Sequence, residues 1–258
     1  MTRPLTLMTL GKAWLRPAPF TVASLPQGWL NEFDAGVLYS LAAATRGPLL
    51  EIGSWIGRSS CAMAYGLRDA VAAGAPLARF DIIDFGLTGM PEFRERYVGF
   101  DPLRGPFAEE HLRALYYPGG VAGYLKQNLV DRDLARYVNH LIFGPVASYE
   151  TTVRYDAVFC DTTHSPQEIA ANVPKLAGLL NAEHFLLAFD DVVDAPAAEQ
   201  IQAFVDADCA ALTSHDAPDN KMLVMTRGAY TRLVFPAATP IALSATGMAS
   251  LTARAAMA

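Results

Sequence analysis

Glu51, Gly53 and Gly57 stand within one apolar run, "LLEIGSWIGRSS" at residues 49–60, and their types and spacing suit binding of a ligand by the main chain. A glycine-punctuated turn between a strand and a helix lets the backbone come close to a ligand. At Gly53 the chain can pass beneath that ligand, at Gly57 a helix can open with no side chain in the way, and Glu51 can hold a positively charged or hydroxyl-bearing group. About thirty residues on, Asp84 closes the next apolar run, "ARFDIIDFG", where a carboxylate can accept both hydroxyls of a ribose. The turn is not the nicotinamide or flavin fingerprint. Counted from Gly53, the second and third glycine positions of GxGxxG hold Trp55 and Arg58. A turn that serves only packing is the other reading of these glycines.

A second group is acidic. "FCDTTHS" places Asp161 at the end of one apolar run, and "FDDV" places Asp190 and Asp191 at the end of the next. Adjacent strands would bring the three carboxylates together, where they repel unless a cation neutralises them or one takes a proton. A hard divalent ion resolves the conflict, and Mg²⁺ suits few carboxylates together with water and substrate oxygens. His164, three residues after Asp161, has a pKa naturally near working pH and can remove the proton of a metal-bound hydroxyl. The structural readings of the same residues are helix capping by Asp191 or Asp194, and a His164 that caps the following helix or faces solvent.

These residues need elements to position them. Phe33, Val37 and Leu41, spaced by four with Leu38 beside them, mark an amphipathic helix within residues 30–45. "LLEIG" reads as a buried strand and "RSSCAMAYGLRDAVAAG" as a helix closed by Gly74. "ARFDIIDFG", "NHLIFG", "YDAVFCD", "HFLLAFDDV", "CAALTSH" and "KMLVMTRG" supply further strands. Helices over 121–138, 165–180 and 195–208 separate several of them, with Pro166 in a first turn. The alternation argues for an α/β, Rossmann-like, doubly wound sheet, mostly parallel and seven-stranded, with an antiparallel hairpin at its C-terminal edge. Ligands of such sheets bind at the carboxyl ends of the strands.

Three segments fall outside that pattern. Residues 1–28 are Pro-rich and irregular and read as an N-terminal arm, followed by one domain over 29–235; a tail over 236–258 is rich in Ala, Thr and Ser. Residues 86–120 are too long for an ordinary connection and hold Pro91, Pro102, Pro106 and Pro118 among aromatics. They read as an insertion or lid able to meet a flat or sugar-like substrate, or as a packed surface excursion.

The chain has 258 residues, 52% hydrophobic and 18% charged, with a net charge of −6. No basic run stands out, so the footprint of a nucleic-acid binder is missing. Cys61, Cys160 and Cys209 lie far apart and read as reduced thiols of a cytoplasmic protein. No apolar run is long enough to span a membrane. The low charge and the arm suit a homodimer or higher oligomer. His111, His140, His184 and His215 are expected to be structural or exposed.

On "EIGSWIGRSS", Asp84 and the strand order, the sequence resembles the class I S-adenosylmethionine (SAM)-dependent methyltransferases over roughly residues 30–228. The resemblance implies that Gly53, Ser54 and Gly57, with Glu51 and Ser59, hold the methionine part of SAM and that Asp84 binds its ribose. One departure is Pro145 in "IFGPVAS", where many such enzymes carry an acid near the adenine; backbone groups or Ser148 would serve instead. The acids look like those of the Mg²⁺-dependent O-methyltransferases of the catechol, macrolide-sugar and cephalosporin-tailoring types. Asp161, Asp190 and Asp191 would then hold Mg²⁺, and His164 would be the base toward a small-molecule hydroxyl. A metal-independent N- or C-methyltransferase, a catalytically silent assembly partner of the same fold, and a nicotinamide enzyme are the alternatives.

Overall fold

Seven short apolar runs form strands: β1 (Leu49–Ile52), β2 (Phe80–Asp84), β3 (His140–Phe143), β4 (Ala157–Cys160), β5 (Phe185–Phe189), β6 (Cys209–Leu212) and β7 (Leu223–Arg227). Between and around them lie α1 (Glu32–Ala44), α2 (Arg58–Ala72), α3 (Met90–Arg96), α4 (Ala108–Leu115), α5 (Gly120–Asp131), α6 (Pro166–Leu179), α7 (Ala195–Gln202) and α8 (Ala229–Val234). The structure, a computed structural model, describes residues 15–96, 108–163, 165–192, 195–212 and 222–235. The strands form a seven-stranded sheet of order β3-β2-β1-β4-β5-β7-β6. This is the Rossmann order with an antiparallel strand placed between the fifth and sixth. It is the α/β, Rossmann-like, mostly parallel sheet that the sequence alternation implies. Among the described residues no helix is long and apolar enough to cross a membrane.

The chain divides into two compact units. One holds β1, β4 to β7 and α6 to α8. Its β1, β4 and β5 are buried at every position, as predominantly apolar runs are when both faces of a sheet are covered, with Glu51 the one charged residue among them. They pair in parallel, with Ile52 opposite Cys160 and Cys160 opposite Phe189. β7 runs antiparallel to both β5 and β6, which forms the expected edge hairpin. Ser165 caps α6: its hydroxyl accepts the Glu168 N–H while the Glu168 carboxylate accepts the Ser165 N–H at 2.9 Å, a closed capping box.

The other unit holds α1 to α5 with β2 and β3. Asn31 caps α1 through its side-chain oxygen, which accepts the Asp34 N–H at 2.8 Å. Ahead of that cap, Phe20 packs edge-on against Tyr39, and the Ser24 carbonyl accepts Arg132 Nε–H at 3.1 Å. Residues 17–28 of the N-terminal arm are therefore laid along the helices of their own unit. β2 and β3 pair in parallel, with Asp84 opposite Phe143.

The structure revises several boundaries. The 86–120 segment contains two helices, α3 and α4, that its prolines and glycines conceal. They contribute Met90, Phe93, Ala114 and Leu115 to a buried cluster with Ile56, Val121 and Tyr124, so this part of the insertion packs against the glycine turn and α5. The helix expected over 121–138 ends at Asp131, because Asp133 takes a left-handed conformation at φ +55. The helix expected over 195–208 ends at Gln202. Gly228, at φ +63, opens the additional helix α8.

Candidate functional site

The turn after β1 is fixed from several sides. Gly53, Trp55 and Gly57 all have positive φ, at +83, +47 and +94. For tryptophan this is an uncommon and strained backbone state that persists only where surroundings enforce it. The enforcing groups are visible. Gly53 N–H donates to the Ile83 carbonyl at 2.9 Å, and Gly57 N–H donates to Ser54 O at 2.8 Å. Asn128 of α5 donates its side-chain N–H to Ile56 O at 2.9 Å.

Asp84 provides the strongest fixation. Its Oδ2 accepts the N–H of Ser54 at 2.8 Å, the N–H of Trp55 at 2.9 Å and the Ser54 hydroxyl at 3.2 Å. Its Oδ1 accepts the Gly86 N–H at 2.8 Å. Successive main-chain N–H groups converging on one point form an anion-binding concavity, and here the protein's own carboxylate fills it. A carboxylate has about four acceptor positions, two per oxygen, so Oδ1 keeps one for a further donor. Asp84 is thus a clasp on the turn with a remaining position, rather than an acid awaiting a ligand with both oxygens.

Gly57 has a second duty. A Cβ there would stand 2.5 Å from Leu125 Cδ1 of α5, so the absent side chain makes room for that helix. Ser54 and Ser59 are buried, and Glu51 is buried at 0% exposure on β1. Ser148 lies exposed in a short 3-10 turn after β3, its hydroxyl donating to Pro145 O at 2.8 Å.

In the other unit, Asp161 and Asp190 directly follow the paired residues Cys160 and Phe189. Their N–H groups continue the ladder, Asp161 to Ile52 O at 2.8 Å and Asp190 to Cys160 O at 3.0 Å. The two acids therefore stand at neighbouring parallel strand ends, as expected. Asp191 departs from that arrangement: it takes φ +55, and its N–H donates to Asp190 Oδ1 at 2.9 Å. Among the described residues no group of three or more His, Cys, Asp and Glu side chains is disposed to hold a metal ion. The three-acid Mg²⁺ site read from the sequence is not assembled, and no chemical step is derived through it. His164 lies outside the described residues. The cap of the following helix is Ser165.

The sequence gives little notice of two further side chains. His111 of α4 is 2% exposed, with ring centroids 4.7 Å from Trp29 and 5.5 Å from Trp55. Burial pushes its pKa below the ordinary histidine value, with Glu110 pulling the other way to a lesser extent. It is buried among aromatic rings, a structural position. Arg58, the first residue of α2, is nearly buried. Its signal in the sequence is a cation at a helix N-terminus, where the dipole disfavours one.

No protein-family model and no curated protein matches this chain in sequence. Solved structures do resemble it in shape. An O-methyltransferase from Bacillus cereus in complex with S-adenosylhomocysteine (SAH) is 16% identical over 79% of this chain and 84% of that one, at a TM-score of 0.48. A SAM-dependent O-methyltransferase from Thermotoga maritima is 11% identical over 79% and 68%, at 0.49. An N-methyltransferase from Bradyrhizobium japonicum in complex with SAH is 14% identical over 83% and 92%, at 0.45.

Proposed function

We propose that this protein transfers the methyl group of SAM to a hydroxyl of a small molecule. The observation that carries the cofactor reading is Asp84 Oδ2 seated on the N–H groups of Ser54 and Trp55. A dinucleotide would need those donors, or their neighbours, for its pyrophosphate; a carboxylate already there repels phosphate and favours a cation. A ligand that is cationic at sulfur and carries ribose hydroxyls matches both the charge and the open acceptor position on Asp84 Oδ1.

Bound SAM supplies an electrophilic methyl group on a sulfonium. Asp84 accepts a ribose hydroxyl through Oδ1, and Gly53, Ser54 and Gly57 keep the turn in shape, with Glu51 and Ser59 buried beside them in the chain. Asp161, with Asp190 at the next strand end, orients the acceptor hydroxyl, and His164 takes its proton. Removing that proton as the oxygen attacks is ordinary general-base catalysis, worth roughly 10²–10⁴ in rate.

The test is a calorimetric titration of the full chain with SAH, using Asp84→Ala as control and NADH as the competing ligand. The reading expects micromolar SAH binding, lost in the variant, and no heat from NADH. NADH binding without SAH binding overturns it. Turnover measured after EDTA treatment and again after adding Mg²⁺ separates direct from metal-assisted handling of the hydroxyl by Asp161 and Asp190.

A further inference from the structure

Asn128 on α5 and Arg132 at its end form a line of hydrogen bonds from the glycine turn to the N-terminal arm. Asn128 is 6% exposed. Its Nδ2–H donates to the Ile56 carbonyl at 2.9 Å, across 72 residues of chain. Its Oδ1 accepts Arg132 Nη1–H at 3.2 Å. Arg132, the C-cap of α5, then donates Nε–H to the Ser24 carbonyl at 3.1 Å, across 108 residues. A second tie reaches the same stretch, because the Gly28 carbonyl accepts Nη1–H of Arg58, the residue that follows Gly57.

Part of this arrangement is ordinary helix capping. A cation at a helix C-terminus suits the dipole. Arg132 Nη1–H also meets the Asn128 carbonyl at 3.1 Å, one of the last carbonyls that a helix leaves unmatched. Capping does not explain the rest. It requires neither a buried amide at position 128 nor a guanidinium held to residue 24. Asparagine is a poor helix former, and burying an amide is unfavourable unless its polar atoms are matched. Here the NH₂ group meets a carbonyl and the oxygen meets a cation, as their chemistry needs. A flipped amide would set oxygen against oxygen and NH₂ against a guanidinium. Arg132 therefore fixes the orientation that Asn128 presents to the turn.

The place held in the turn is specific. Ile56 lies between Trp55 at φ +47 and Gly57 at φ +94. Asp84 fixes the first half of the turn through the N–H groups of Ser54 and Trp55, and Asn128 fixes the second half through a carbonyl. We propose that Asn128 and Arg132 are positioning residues of the cofactor turn, and that docking of the arm on Arg132 sets how tightly this turn binds the cofactor. The proposal rests on the cofactor reading above and adds regulation to it. With Ser24 in place, Arg132 is held at both ends of its fork and keeps Asn128 oriented. With the arm released, Arg132 turns to solvent, the amide is free to flip, and Ile56 loses its restraint. The ligand must then order the turn itself, which lowers affinity.

The test measures SAH binding to the full chain by calorimetry, and amide exchange over residues 20–30 with and without SAH. Arg132→Met should weaken SAH at least about fivefold, the lower end of ordinary coupling between sites. Arg132→Lys should fall between, because a point charge replaces a fork. Phe20→Ala loosens the arm from Tyr39 and Tyr65 without touching the turn, and it should weaken SAH as well. Linkage makes the effect reciprocal. SAH should slow exchange in the wild-type arm by a factor similar to the Arg132→Met loss, and should leave the arm of that variant unchanged. An arginine that only caps α5 would lower the melting temperature and move neither readout. Unchanged SAH affinity in either folded variant, Arg132→Met or Phe20→Ala, overturns the coupling while the cofactor reading stands. Wild-type arm exchange indifferent to bound SAH does the same. Folded wild-type protein that does not bind SAH overturns the cofactor reading and this proposal with it.

Discussion

Asp84 Oδ2 lies 2.8 Å from the Ser54 nitrogen, across 30 residues of chain, and this bond joins the end of β2 to the turn that follows β1. The same oxygen accepts from Trp55 at 2.9 Å. The turn's shape and the position of its acid are therefore one property. Trp55, itself in a left-handed conformation at φ +47, supplies that second N–H, and the carboxylate holds it there. A ligand arriving at Asp84 meets a preorganised group, which lowers the ordering cost of binding.

Asp84→Asn should therefore lower both affinity and stability. The amide keeps one acceptor oxygen but presents an NH₂ group to main-chain N–H donors on one side or the other. Leaving buried donors unmatched costs about 1–3 kcal/mol, which urea unfolding should register, and SAH affinity should fall by at least about tenfold. Lost affinity with unchanged unfolding would mean that the clasp contributes little to the turn.

How much of this is legible in the sequence depends on how local each cause is. The strand runs are visible because strands such as β1, β4 and β5 are buried on both faces and, Glu51 of β1 aside, apolar. Their order follows from the alternation with helices, and Asp161 and Asp190 follow from their order. The helices α3 and α4 are hidden by Pro91, Pro102 and Pro106, which mark breaks without revealing the short turns between them. The clasp is illegible because Asp84 reads as an open acid until the backbone of Trp55 is known. Gly57 reads as space for a ligand until Leu125 is seen to need it. The burial of Arg58 and His111 belongs to tertiary structure alone.

The two proposed catalytic residues should separate from the cofactor turn in kinetics. Asp161→Asn and His164→Ala should each lower kcat by about 10²–10⁴, the range for a lost general base or its orienting partner. Their SAH affinity should stay within about threefold of wild type, because neither belongs to the turn. Should either variant lose SAH binding in proportion to turnover, its place in proton transfer would be wrong.

His111 should make stability depend on pH in a defined direction. Burial lowers its folded-state pKa below the unfolded value, so the unfolded chain takes up the proton first as pH falls. Its contribution is complete above the unfolded pKa and is lost as pH falls through the folded one. Glu110, beside it on α4, opposes the shift to a lesser extent. Urea unfolding between about pH 7.5 and pH 5.5 should show wild type losing more stability than His111→Gln. Parallel pH profiles would place the proton uptake elsewhere.

Gly57 and Leu125 should be coupled, because one missing methyl serves two purposes. Gly57→Ala must strain a residue at φ +94 and also drive its Cβ to within 2.5 Å of Leu125 Cδ1. The left-handed backbone costs an alanine about 1–2 kcal/mol, and overpacking adds about 1–3 kcal/mol. Leu125→Ala removes only the second cause. In that background the loss caused by Gly57→Ala should shrink to the conformational part, giving a coupling of about 1–3 kcal/mol in a double-mutant cycle of unfolding energies. If the loss is instead the same in both backgrounds, backbone conformation alone makes this position a glycine, and α5 has no part in shaping the turn.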